Sequence, residues 1–202
     1  MKILNLYAGI GGNRKLWGNE HEIVAVENNV EIAEAYKTFY PTDQVIVDDA
    51  HQFLLDNFKE FDFIWSSPPC QTHSKTNFFL HGQGIIRYPD MQLYQEIIFL
   101  RQWGKKTKWV VENVVGYYKP LIEAKQVGRH LFWSNFKITQ KEFNHITFRT
   151  AGISDWEKFH GFDLSNYNGK NKRILLRNCI YPEVGKHVLE CAIKDNDTRT
   201  NN

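Results

Sequence analysis

Three short segments carry the residues of this chain that could do chemistry. The first is Tyr7-Ala8-Gly9-Ile10-Gly11-Gly12, where glycines let a backbone approach a ligand and turn tightly into a helix. Glu27 follows 16 residues after Gly11, at the end of an apolar run, where a carboxylate can accept from both hydroxyls of a ribose. Asp48-Asp49 ends the next apolar run. A glycine turn with acids at two strand ends points to a nucleoside cofactor. The third glycine of a Gly-x-Gly-x-x-Gly pattern is missing, with Lys15 near its place, which disfavours a nicotinamide dinucleotide. Acids rather than a phosphate cradle favour a cofactor without a pyrophosphate, such as S-adenosylmethionine. The second segment is Ser67-Pro68-Pro69-Cys70-Gln71. Free cysteines usually pack inertly in cores, and Cys179 and Cys191 fit that pattern. Cys70 differs, because two prolines stiffen its approach and a polar loop follows it. The third segment is Val111-Glu112-Asn113-Val114, where an acid at the end of an apolar strand is costly without a partner or a job.

These segments need a scaffold that brings strand ends together. Apolar runs predict strands at 2–7, 22–27, 44–47, 61–65 and 108–111. Helical patterns separate them at 12–18, 29–39, 50–58 and 90–103, with Pro41 stopping the second. The alternation reads as an α/β fold, an open, mostly parallel sheet with helices on both faces. In such sheets ligands bind at the carboxyl ends of the strands. Cys70 and Glu112 then end neighbouring strands and face one crevice. After residue 115 the pattern weakens. Strands are expected at 131–136 and 143–148, a short helix at 155–160, and a helix over 183–192 preceded by Pro182.

The chain has 202 residues, 42% of them hydrophobic, 14% aromatic and 24% charged. That composition excludes a disordered chain and allows a core without disulfides or metal. No apolar run approaches the roughly 18 residues of a membrane span. Met1-Lys2 leads straight into a strand, with no signal-peptide core. Three cysteines without a Cys-x-x-Cys pair argue against a disulfide framework or a zinc site and fit a reducing cytoplasm. The net charge of +2 is uneven: residues 1–100 hold 7 basic and 13 acidic side chains, and 101–149 hold 10 and 3. The basic block suits a polyanionic partner.

In their order, Tyr-Ala-Gly-Ile-Gly-Gly, Pro-Pro-Cys-Gln and Glu-Asn-Val closely resemble the C5-cytosine DNA methyltransferases, in particular compact, phage-type members. Two further segments extend the resemblance over nearly the whole chain. Gly128-Arg129-His130-Leu131-Phe132 is similar to the end of the family's Gln-x-Arg-x-Arg motif, with Gln126 aligning only across a shifted gap. Leu176-Arg177-Asn178-Cys179-Ile180-Tyr181-Pro182 is similar to its last motif, with Arg177 in place of glycine. The resemblance implies a Rossmann-like, S-adenosylmethionine-dependent methyltransferase fold. It implies Cys70 as the nucleophile at C6 of cytosine, Glu112 at N3, Asn113 as a buttress and Arg129 at O2. It also implies Tyr7, Ala8, Gly9, Gly11, Glu27, Asn28, Asp49, Ala50, Pro69 and Asn178 around the cofactor, Tyr7 replacing the usual Phe. Loop 72–89 resembles the mobile loop that closes over a base flipped out of duplex DNA. One branch of the family acts on transfer RNA, so RNA is the alternative substrate. A nucleic-acid-binding subunit that needs a partner is the alternative role.

The implied catalytic and cofactor domain is 1–136 with 173–194, and 195–202 is expected to be a frayed tail. Segment 137–172 is left as a reduced target-recognition segment, far smaller than in larger members. Its Lys141, His145, Arg149, Lys158, His160, Lys170 and Lys172 suit phosphate contacts, and Trp156 and Phe159 either join them or close a small core. So small a segment predicts a short target site, or a partner protein that supplies recognition.

Overall fold

The computed structural model describes residues 1–144 and 151–200. One seven-stranded sheet organises them. Its strands are β1 (Lys2–Leu6), β2 (Glu22–Val26), β3 (Gln44–Ile46), β4 (Phe63–Ser66), β5 (Lys108–Val114), β6 (Lys125–Val127) and β7 (His130–Ser134), in the spatial order β3-β2-β1-β4-β5-β7-β6. The first five pair in parallel, whereas β7 runs antiparallel to both β5 and β6. The helices are α1 (Val30–Phe39), α2 (Ala50–Asn57), α3 (Asn77–His81), α4 (Gln92–Trp103), α5 (Ile153–His160), α6 (Gly169–Arg177) and α7 (Pro182–Thr200). Among the described residues no helix is long and apolar enough to cross a membrane.

The period-two alternation of the strands divides the core. Leu4, Leu6, Val24, Val26, Ile64, Trp109 and Val111 bury one face under Leu54 of α2 and Leu93, Ile97 and Leu100 of α4. Ile3, Ile23, Phe63, Trp65, Val110 and Phe132 bury the other under Val184, Val188 and Leu189 of α7. A third cluster joins Ala8, Ile10, Ala25 and Tyr36 to Trp156 of α5 and Leu175 and Leu176 of α6. The open, mostly parallel sheet with helices on both faces is therefore present, with β4 and β5 adjacent as expected.

In the first half, α3 (Asn77–His81) interrupts the loop expected at 72–89, and the other main differences from expectation lie in the second half. The strand expected at 131–136 runs over His130–Ser134, and β6 had no apolar run to announce it, since Lys125 and Gln126 face solvent. Of the strand expected at 143–148, residues 143 and 144 have no regular structure and the rest lie outside the described residues. The boundary at 172/173 falls inside α6. Where it is described, segment 137–172 gives Ile138 to the cluster under α7 and Trp156, Phe162 and Leu164 to the third cluster. His160 is 1% exposed and cannot reach a phosphate, and Lys172 pairs with Glu157 at 3.2 Å. His145 and Arg149 lie outside the described residues. The expected frayed tail instead continues α7 to Thr200, with Asp195 pairing to Lys108 at the start of β5, and 201–202 lie outside the description.

Candidate active site

The carboxyl ends of the parallel strands open into one cleft of about 1130 Å³. It is lined by Tyr7, Ala8, Gly9, Glu27 and Asn28 on one side. Pro69, Cys70, Glu112, Arg129 and Asn178 line it as well. The glycine turn after β1 therefore meets the nucleophile loop after β4 and the acid of β5.

Local chemistry shapes the turn. Gly12 has no room for a side chain, since a Cβ there would sit 2.2 Å from Cys179 Sγ and 2.4 Å from the Ile180 carbonyl oxygen. Its missing side chain thus makes room for the Cys179–Ile180 segment just before α7, while Gly12 itself still lines the cleft. Gly11 takes a φ of +78°, which favours glycine. The Tyr40 hydroxyl donates to its carbonyl at 2.7 Å, and Gly11 does not line the cleft. Glu27 is 8% exposed, and its carboxylate accepts the backbone N–H groups of Gly9 and Asn29, each at 3.0 Å. That fixes one carboxylate beside an open backbone turn, as a ribose diol requires, so these residues fit S-adenosylmethionine. Neither Asp49 nor Ala50 is among the lining residues: Asp49 is exposed and caps α2 by accepting from Gln52 N–H at 2.8 Å, and Ala50 is buried in the core.

The catalytic candidates come from three elements. Asn113 is 1% exposed and donates from Nδ2 to the Pro68 carbonyl at 3.0 Å, tying β5 to the nucleophile loop. It buttresses the loop from behind the lining. Glu112 is 4% exposed, and burial pushes its carboxyl up to about 7, against the pull of a Ser67 hydrogen bond and of Arg129. Arg129 sits in the β6–β7 turn, where its carbonyl accepts from Val115 N–H at 3.2 Å. Its guanidinium also faces the Trp156 ring, 5.9 Å from the centroid. Burial raises the Cys70 thiol above its ordinary value, and Glu112 adds to that, while Arg129 and Arg177 pull it down. His130 lies 3.8 Å from Glu112, yet burial first, then Arg129 and His160, hold it neutral down to about 3. The contact is therefore not an ion pair. Cys179 reaches the cleft wall but burial lifts its thiol to about 12, so it is no nucleophile.

Lys75, Arg87, Arg173 and Arg177 also line the cleft, beyond the residues expected there. Arg177 was visible as the departure from glycine in the last motif, and Ser67 stood inside the quoted nucleophile segment. Lys75, Arg87 and Arg173 carried no local signal.

A family model described as C-5 cytosine-specific DNA methylase matches residues 1–121. Arg129 and Asn178 lie beyond the matched stretch and rest on the cleft geometry. The tRNA (cytosine(38)-C(5))-methyltransferase of Homo sapiens is 31% identical over 134 residues, covering 58% of this chain and 31% of that protein. Its counterpart from Spodoptera frugiperda is 34% identical over 102 residues, covering 42% of this chain and 31% of that one. The chain thus spans about a third of the length of these curated relatives. A crystal structure of a Spodoptera frugiperda DNMT2 mutant aligns with 28% identity and a TM-score of 0.42, over 57% of this chain and 36% of that chain.

Proposed function

We propose, from the premise that the chain belongs to the C-5 cytosine-specific DNA methylase family, that it methylates C5 of cytosine in DNA through a covalent adduct on Cys70. The observation that carries this reading is the meeting of Cys70, Glu112 and Arg129 in the cleft that Glu27 and the glycine turn border. S-adenosylmethionine, the methyl donor, supplies an electrophilic methyl group when bound beside Glu27. The Cys70 thiolate adds to C6 of the target ring, and the electron pair of the C5–C6 bond moves toward N3. The Glu112 carboxyl is raised to about 7, so at neutral pH a substantial fraction of it carries a proton that it can give to N3. Arg129 stabilises charge at O2 and at the thiolate. C5 becomes nucleophilic and takes the methyl group. Loss of the C5 proton then expels Cys70 and restores the ring. The ring edge is unreachable in a stacked duplex, so the base must be flipped out.

The wider proposals follow. The DNA is double-stranded, the chain acts in the cytoplasm, and a compact enzyme of this kind suits restriction-modification or phage self-protection. A partner protein completes target recognition if the chain alone is not selective. RNA is the second reading, favoured by the names of the tRNA-modifying relatives. The test is transfer of labelled methyl from S-adenosylmethionine to DNA and to RNA in parallel. DNA containing 5-fluorocytosine should trap the chain covalently, since fluorine cannot leave as a proton does. Label in RNA alone overturns the DNA reading, and trapping that survives Cys70→Ala overturns the nucleophile.

A further inference from the structure

Behind the cleft, one buried carboxylate joins the cofactor turn to the nucleophile loop. Glu96 of α4 is 0% exposed. Its Oε1 accepts the Tyr7 hydroxyl at 2.6 Å, and its Oε2 accepts the Ser66 hydroxyl at 2.5 Å. His51 Nδ1, from α2, lies 3.1 Å from Oε1. A carboxylate out of water is tolerated only when several donors replace its hydration. Here the donors come from three separate segments of chain.

Two of those segments are the ones the site depends on. Tyr7 directly follows β1 and takes a φ of 54°, a left-handed conformation that costs an aromatic residue free energy unless its surroundings hold it. It opens the turn whose Ala8 and Gly9 line the cleft. Ser66 is the last residue of β4 and precedes Ser67, the hydrogen-bond partner of Glu112, and the loop to Cys70. Glu96 itself is not among the lining residues, so it acts through others.

We propose that Glu96 is a positioning residue that fixes the cofactor turn through Tyr7 and the nucleophile loop through Ser66, so that disturbing either segment is felt at the other. The proposal rests on the methyltransferase reading for its use but not for its test. Two readouts serve on the purified chain without nucleic acid: calorimetric affinity for S-adenosylmethionine, and the rate at which iodoacetamide alkylates Cys70. Tyr7→Phe removes one hydroxyl on the cofactor side and should speed Cys70 alkylation. Ser66→Ala removes one on the nucleophile side and should weaken cofactor binding. Each cross-effect should be about tenfold, the ratio that ~1.4 kcal/mol produces. In a Glu96→Gln background both cross-effects should vanish, because the link is already cut. Ser134→Ala, which removes a hydroxyl bonded to the Phe136 carbonyl at 2.7 Å, should change neither readout. A merely structural Glu96 would lower the melting temperature in these variants and leave both cross-effects absent, which would overturn the proposal. If Glu96→Gln does not fold, the two single variants still decide. A wild-type chain that binds no cofactor would count against the methyltransferase reading, and the alkylation arm alone would then decide the link.

Discussion

Burial holds the Glu112 carboxyl near 7, well above the ordinary carboxylate range, so at neutral pH it exists as both acid and anion. The same shift has a consequence for stability. A carboxyl raised on folding contributes stability that is fully present below its unfolded value and lost as pH rises through about 7. Glu112→Gln removes that dependence, so the variant should gain on the wild type by up to about 3 kcal/mol between pH 4 and pH 8. Urea unfolding at the two pH values measures it, and an unchanged gap would mean that the carboxyl is not desolvated. Catalysis moves with the same proton. The trapping rate should fall above about pH 7 in the wild type, while Glu112→Gln should keep only the rising limb of the Cys70 thiolate, at a lower rate. At Cys179, with its thiol near 12, substitution by alanine should leave trapping in place.

At the scale of elements, the site depends on strand ends and on the contacts that lock them. The 3₁₀ turn at Asn13–Leu16 packs on α7, where a Gly185 Cβ would fall 2.2 Å from the Asn13 backbone carbonyl oxygen, and Gly12 beside it packs against Cys179 and Ile180 just before that helix. Gly12→Ala would press on the Ile180 backbone, which cannot step aside. It should cost roughly 1–3 kcal/mol or more, as overpacking does, and adding Cys179→Ala should recover only part. Thermal unfolding checks both. Asn113 ties β5 to the nucleophile loop through the Pro68 carbonyl. Asn113→Ala leaves a buried carbonyl unpaired, costing ~1–3 kcal/mol, and should slow trapping while Cys70 remains chemically intact. Equal trapping rates would show that the loop does not need this tie.

For the molecule as a whole, the cleft carries Lys75, Arg87, Arg129, Arg173 and Arg177 against the acids Glu27 and Glu112. A polyanion entering it would release counterions. Affinity for DNA should fall steeply with salt, and Arg173→Ala or Arg87→Ala should each flatten the log–log slope by about 0.9 for duplex DNA. A slope that does not change would place the backbone elsewhere. Segment 137–172 is short and gives Ile138, Trp156, His160, Phe162 and Leu164 to the interior, so it can present few side chains to read bases, each worth ~1–3 kcal/mol. The chain alone should therefore methylate a site of about two to four base pairs. Bisulfite sequencing of DNA treated with the purified chain decides it, and a strict six-base-pair site would sink the idea.

The order of strands and helices up to Val114, apart from α3 inside the loop expected at 72–89, was legible because buried parallel strands are short apolar runs broken by glycine and proline. Cys70, Glu112, Asn113, Glu27 and the glycine turn were legible because each sits at the end of such a run, and a parallel sheet gathers those ends on one rim. What lay out of reach was every relation set by close packing between distant segments. No spacing foretold that Gly12 faces Cys179, that Glu96 gathers Tyr7, Ser66 and His51, or that Trp156 packs beside Arg129. Local pattern records which face of an element is apolar. Which side chain meets which across the sheet, and how far burial moves a proton, depends on distances that only the folded chain creates.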